Sequence, residues 1–167
     1  MNLLQVSNLN LLIGRTPILN NVSFNIGRGK IFGLVGESGS GKSMTALSLV
    51  RLLPENTKLS GSICLENINL ESMSEKSMCN IRGASIGMIF QEPMLALNPL
   101  KTIGEQVAEP LIIHKRCTSK EALKIVQETL DRVGLSKKVV TLNRFPHELS
   151  GGQRQRVMIA QAYILKP

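Results

Sequence analysis

Tryptophan is absent from the 167 residues, tyrosine occurs once and phenylalanine four times, so only 3% of the chain is aromatic. Proteins that grip single-stranded nucleic acid stack bases on aromatic rings. The basic residues are scattered as well (Arg15, Arg28, Lys30, Arg51, Lys101, Lys115, Arg116, Lys137, Lys138, Arg154, Arg156), so the net charge of +8 reads as a solvated basic surface and no nucleic-acid partner is expected. Cysteine is equally sparse. Cys64, Cys79 and Cys117 form no C-x-x-C pair and have no clustered histidine, which argues against a metal centre or a disulfide scaffold, and His114 and His147 each stand alone. No apolar run is long enough to span a bilayer. The segment Met1-Asn2-Leu3-Leu4-Gln5 lacks the basic-then-apolar order of a leader, the pattern expected of an intracellular chain. With 43% hydrophobic residues and no low-complexity tract, the sequence can build one globular domain or a piece of a larger one.

Glycine is where the sequence becomes specific. Gly36-Glu37-Ser38-Gly39-Ser40-Gly41-Lys42-Ser43 has the spacing G-x-x-x-x-G-K-S, between the apolar run Ile31-Phe32-Gly33-Leu34-Val35 and a helical pattern in which Met44, Leu47, Val50 and Leu53 recur every third residue up to Pro54. In such a turn consecutive backbone N–H groups and the free donors of a helix N-terminus converge on one point, and the helix dipole adds positive potential there. Side chains would block the approach of an anion. Lys42 is placed to neutralise the β- and γ-phosphates of a nucleoside triphosphate, and the Ser43 hydroxyl to ligate the bridging Mg²⁺. Thr45, one turn into the helix, joins the nucleotide-binding candidates.

Around this loop the chain reads as a mixed α/β protein. Residues 3–13 and 18–26 show apolar and polar positions alternating roughly in twos, separated by Gly14-Arg15-Thr16-Pro17, and predict an antiparallel start. The run 31–35 is apolar throughout, as expected of a central parallel strand covered on both faces, and 86–90 predicts a second short strand ending at Gln91. Residues 61–70 read as a strand and turn, and 74–82 as a weak helix. Glu92 to Pro99 carries two prolines and predicts an irregular loop with exposed apolar residues, suited to a partner. Helices follow from near Thr102, with Pro110 expected to kink the first, and from Ser119 to Val133, where the capping signal is only partial. Residues 102–134 are therefore expected to form a helical insertion.

A second phosphate-facing motif closes the chain. Leu149-Ser150-Gly151-Gly152-Gln153 precedes the helical stretch Arg154 to Leu165; Ser150 can cap that helix, while Gly151 and Gly152 let the backbone approach an anion at its positive end.

With Gly36–Ser43 as Walker A, Gln91 after its strand as the Q-loop glutamine and Leu149–Gln153 as the signature sequence, in that order, the chain resembles the ATP-binding subunits of ABC transporters. Phe90-Gln91-Glu92-Pro93-Met94, Leu97-Asn98-Pro99, Ile103-Gly104-Glu105-Gln106 and Arg144-Phe145-Pro146-His147-Glu148 narrow the likeness to the dipeptide, oligopeptide and nickel importers. The resemblance implies a P-loop NTPase fold of ABC type, with an N-terminal antiparallel β part, a parallel core that is incomplete here and a helical insertion. Residues 1–101 would be the nucleotide-binding core, 102–150 the helical subdomain and 151–167 the signature helix returning to the core.

It also implies ATP and Mg²⁺ as cofactors. Two such subunits, identical or not, would meet head to tail, so that Ser150, Gly151, Gly152 and Gln153 of one close on the γ-phosphate held by Lys42 of the other. Gln91 would sense Mg²⁺ or the attacking water, and the loop after it would pass motion to transmembrane permease subunits. A periplasmic or lipid-anchored substrate-binding protein would be an indirect partner, and the protein would sit on the cytoplasmic face of the inner or plasma membrane. Near Ile13, where the family commonly stacks an aromatic on adenine, this chain has Leu11-Leu12-Ile13, leaving an apolar contact. No segment supplies the apolar strand ending in Asp and Glu known as Walker B, so residues 1–167 alone are expected to bind nucleotide without turnover. Two alternatives stay open at this point: a non-catalytic nucleotide-binding remnant, and a soluble ABC protein acting on nucleic acid.

Overall fold

The computed structural model describes residues 2–167, without the side chains of Pro93, Met94 and Ser119; Met1, the first residue of the segment without leader character, lies outside the described residues. The chain divides into two compact units, Met1–Cys79 and Asn80–Pro167.

The first unit is built on an antiparallel sheet in the order β2-β1-β3-β4, formed by β1 (Asn2–Ile13), β2 (Thr16–Gly27), β3 (Thr57–Leu65) and β4 (Ile68–Asn69). The expected antiparallel start is this β1–β2 hairpin, with Ile13 opposite Thr16 and Val6 opposite Phe24. Its apolar positions run in pairs because β1 changes phase in mid-strand. Leu4 and Val6 are buried, then Leu9 and Leu11, and between them the register shifts at Asn8, whose φ is +50°. A bulge adds one residue and exchanges the two faces of the strand. Gly61 of β3 lies across from it at φ +104°, where a Cβ would fall 2.4 Å from the Asn8 carbonyl oxygen. Only glycine fits that approach.

The helix α1 (Lys42–Leu49) follows the glycine-rich loop and buries Thr45 and Ser48, each hydroxyl donating to the carbonyl four residues back. It ends before the Pro54 suggested by its pattern. The run 31–35 departs from its expected role. Among the described residues it joins no strand ladder, and Ile31 and Val35 are exposed. A parallel strand is stabilised by neighbours along its edges and layers on its faces; here Phe32 stacks on Phe24 of β2, centroids 5.0 Å apart. Residues 86–90 also lie outside any ladder except a single parallel bridge from Arg82 to Ile86.

The helix α2 (Glu75–Ile81) leads into the second unit, whose core is Leu97, Ile103, Val107, Leu111, Ala122, Val126, Leu130, Leu135, Val140, Leu149, Val157, Ala160 and Ile164. These residues come mainly from α4 (Ile103–Ile113), α5 (Ser119–Arg132) and α6 (Gly151–Tyr163). The helix α4 starts at Thr102, as expected, and runs on through Pro110 to Ile113. The helix α5 is capped by Thr118, one residue before the predicted start, with a full box to Glu121 in place of the partial signal. The segment after Gln91 is also less irregular than its prolines suggest. Pro93 opens one helical turn, α3 (Pro93–Ala96), at a position where a missing N–H costs nothing.

Candidate functional site

The phosphate cradle is legible in the cap of α1. Its N-cap is Gly41, at φ +88°, with no side-chain hydrogen bond to the first-turn amides and no acidic residue in that turn. The helices α4, α5 and α6 each close theirs with a capping box. A helix start left without a side-chain acceptor keeps its donors and its positive potential for an anion. Gly41 is fixed by space as well as by φ, since a Cβ there would meet Leu19 Cδ2 at 2.6 Å and the Ile18 carbonyl oxygen at 3.2 Å. At Gly36 a Cβ would fall 2.6 Å from Ser40 Oγ. Gly39, at φ +81°, faces open space.

Lys42 Nζ sits within the loop, donating to the carbonyl oxygens of Gly36 at 2.7 Å and Glu37 at 2.5 Å, with Ser40 Oγ 3.4 Å away. The ammonium is thus held at the glycine-rich loop itself. Glu37, Ser38, Gly39, Ser40 and Ser43 are exposed. The hard-oxygen chemistry of a serine hydroxyl on an exposed helix start suits a nucleotide-bridging Mg²⁺. Thr45 differs: it is 3% exposed and its hydroxyl donates to the Gly41 carbonyl at 3.0 Å, so it supports the first turn of α1. Ile13 ends β1, half-buried, paired with Thr16 and Thr57.

The remaining candidates lie in the second unit. Ser150 caps α6 reciprocally, its Oγ accepting from Gln153 N at 3.3 Å while Gln153 Oε1 accepts from Ser150 N at 2.9 Å. Gly151 and Gly152 are exposed, with nothing near where a Cβ would stand, so no neighbouring group covers the helix end at these two positions. Gln91 is exposed and lines a groove of about 450 Å³ with Phe90, Glu92, Leu95 and Ala96, and Leu95 is 87% exposed. That groove was legible only as a proline-bearing loop. Gln106, which ties down the end of the same loop, is marked in the sequence only as the last residue of Ile103-Gly104-Glu105-Gln106, with nothing to signal that its side chain is buried. Among the described residues no cluster of His, Cys, Asp and Glu could hold a metal, and no helix is long and apolar enough to cross a membrane.

A glycine-rich loop gripping a lysine at an uncapped helix start defines a nucleotide-binding protein of the P-loop class. The comparisons carry this further: residues 19–167 match the ABC transporter family, and the chain belongs to it. The chain is 47% identical over 171 residues to the oligopeptide transport ATP-binding protein AppD of Bacillus subtilis, covering 99% of this chain and 52% of that protein. It is 43% identical over 177 residues to the glutathione import ATP-binding protein GsiA of Salmonella choleraesuis, covering 99% of this chain and 28% of that one. It spans about half or less of the length of these relatives. Among solved structures it is similar to the dimeric ATP-binding cassette MJ0796 bound to ADP and Pi, at a TM-score of 0.84 and 32% identity over 98% of this chain and 70% of that one. The family and these neighbours bear out the expected ABC-type fold, and the two relatives are an oligopeptide transport and a glutathione import ATP-binding protein, in line with the branch suggested by the sequence.

Proposed function

We infer that these residues are the nucleotide-binding portion of an ATP-hydrolysing subunit that energises an ABC importer. The observation that carries this reading is the uncapped start of α1 beside Lys42, set against the capped starts of α4, α5 and α6. The cargo class it favours is peptides, from the names of AppD and GsiA, ahead of nickel. The reading divides the chain into a nucleotide-binding core over 1–101, a helical subdomain over 102–150 and a signature helix over 151–167.

In this mechanism the amides of Gly36–Ser43 and the Lys42 ammonium would hold the β- and γ-phosphates, the Ser43 hydroxyl would ligate Mg²⁺, and Gln91 would sense Mg²⁺ or the attacking water. Mg²⁺, when bound, neutralises charge on the phosphates. Thr45 braces the loop, and Ile13 offers an apolar contact to the base. A second ATP-binding subunit, the same or different, presents its own Ser150, Gly151, Gly152 and Gln153 to the γ-phosphate, so that ATP joins the pair and loss of the γ-phosphate releases it. The groove at Gln91 and Leu95 receives a transmembrane permease, through which a periplasmic or lipid-anchored binding protein is coupled indirectly. This places the subunit on the cytoplasmic face of the membrane.

On this reading residues 1–167 alone bind nucleotide at most weakly and without turnover, because among the described residues no strand ends in the Asp and Glu that would position water. Hydrolysis assays on the purified 1–167 chain and on a longer chain carrying that strand test this, with activity expected only in the second. Turnover by 1–167 that disappears in Lys42→Ala would overturn it.

A further inference from the structure

The segment after Gln91 is fastened at its far end by one buried side chain. Gln106, on α4, is 2% exposed, and its amide makes three hydrogen bonds to the turn Asn98–Lys101. Oε1 accepts from Asn98 N at 2.8 Å, while Nε2 donates to the Asn98 carbonyl at 3.0 Å and to the Lys101 carbonyl at 2.9 Å. A buried amide with its acceptor and both donors in use is a costly group to displace, since any movement leaves polar atoms unpaired away from water. The segment is held on its near side too: α3 packs against α6, and Leu97, 3% exposed, belongs to the core shared by α4, α5 and α6.

From α4 the path continues to the signature. Ile103 N and Gly104 N, at the start of α4, donate to the carbonyls of Arg144 and Leu142, each at 2.8 Å. A Cβ on Gly104 would fall 2.9 Å from Leu142 Cβ, so the two backbones are in close contact. Residues 142–144 lead through the short 3₁₀ turn Pro146–Glu148 into Ser150. Hydrogen-bonded and close-packed contacts are thus continuous from the Gln91 groove to the helix end that carries the signature.

We propose that Gln106 is a positioning residue for coupling: it makes the Asn98–Lys101 turn and α4 one rigid piece, so that displacement of the Gln91 loop by a bound partner reaches Ser150–Gln153. This rests on the reading above, in which that groove receives a permease. Gln106, being buried, offers almost no surface of its own to a ligand or partner. Its removal therefore loosens transmission while leaving the phosphate cradle intact, an effect on coupling of the size seen when linking residues are changed.

The test uses the full-length protein reconstituted with its permease and binding protein in lipid vesicles. Hydrolysis is measured with and without transported substrate for wild type, Gln106→Leu and Gln106→Glu, together with ATP affinity of the detached subunit. Gln106→Leu keeps the bulk and loses all three hydrogen bonds; Gln106→Glu keeps the acceptor and loses both donors. The ratio of stimulated to basal hydrolysis is expected to fall by about fivefold or more in Gln106→Leu and in the same direction in Gln106→Glu, with ATP affinity and basal rate unchanged. If Gln106→Leu does not fold, Gln106→Glu decides. Equal stimulation in folded variants, or stimulated and basal rates falling in proportion, would overturn the proposal. A wild-type subunit that does not respond to the permease at all would instead remove the importer reading, and the proposal with it.

Discussion

At the scale of single residues the site depends on where side chains are missing as much as on where they are present. Gly41 illustrates this, because its left-handed φ and the closeness of Leu19 and Ile18 both exclude a Cβ. Gly41→Ala is expected to lower stability by about 1–3 kcal/mol, the range for a strained non-glycine backbone, and to weaken nucleotide binding with it. Thermal melting of the two proteins checks the first part. Gly61→Ala should be at least as harmful, since backbone atoms of Asn8 and Leu9 stand within 3 Å of the added carbon and cannot swing away. A melting temperature equal to wild type for Gly61→Ala would mean that β1 and β3 do not approach as described. The glycines of the 36–43 loop were legible because their spacing reports a mechanism. Gly61 was not, because its need arises from the bulge at Asn8 in the middle of the neighbouring strand β1, and nothing local announces it.

At the scale of elements, capping governs both stability and pH response. Thr102 and Thr118 each share three hydrogen bonds with the glutamate three residues on, the threonine N–H and hydroxyl donating to the carboxylate and the glutamate N–H donating to the hydroxyl oxygen. The Thr102 hydroxyl and then its backbone N–H hold the Glu105 carboxyl below its usual value of 4.5, and for Glu121 the Thr118 backbone N–H leads, followed by its hydroxyl. A carboxyl whose folded value is depressed stabilises fully above the unfolded value, and the effect fades as pH falls through the folded one. The helical unit should therefore lose stability below about pH 4.5. Thr118→Ala should cost about 1 kcal/mol near neutrality and flatten that acid limb, as denaturant titrations across pH would show. If acid sensitivity persisted unchanged in the variant, the Thr118–Glu121 box would not be its source.

The elements also show where pattern reading stops. Hairpin β1–β2, α2, α4, α5 and α6 follow from periodicity and punctuation, because each carries its own signal. The run 31–35 carries a strand-like signal that the structure does not realise: a strand in a parallel sheet is completed by other segments, and among the described residues none pairs with it. Helix α3 failed in the opposite sense, since proline at a first helical position is tolerated and the two prolines around it masked a turn.

For the molecule as a whole, the two compact units divide the chemistry. Met1–Cys79 holds the loop that grips Lys42, and Asn80–Pro167 holds Gln91 and the open end of α6. By motif order alone Gln91 falls with Lys42 in a core over 1–101, because that order carries no mark of a break after Cys79; nor is the fastening of the Gln91 segment by Gln106 legible, because a buried amide leaves no mark on periodicity. The exposed side chains of Ile31, Val35 and Leu95 leave apolar surface that ordinarily meets a partner. Val35→Lys should therefore reduce binding of a hydrophobic dye without lowering the melting temperature, and a fall in that temperature would show that Val35 packs internally.

The central claim is that Gly36–Ser43 with Lys42 forms a nucleotide site. Equilibrium titration of the protein with a fluorescent ATP analogue in the presence of Mg²⁺, repeated with Lys42→Ala, tests it most directly. Saturable binding to the wild type that unlabelled ATP displaces, weakened about tenfold or more in Lys42→Ala, is the predicted result, a loss of about 1.4 kcal/mol or greater. Absence of binding, or binding of equal strength in folded Lys42→Ala, would contradict it.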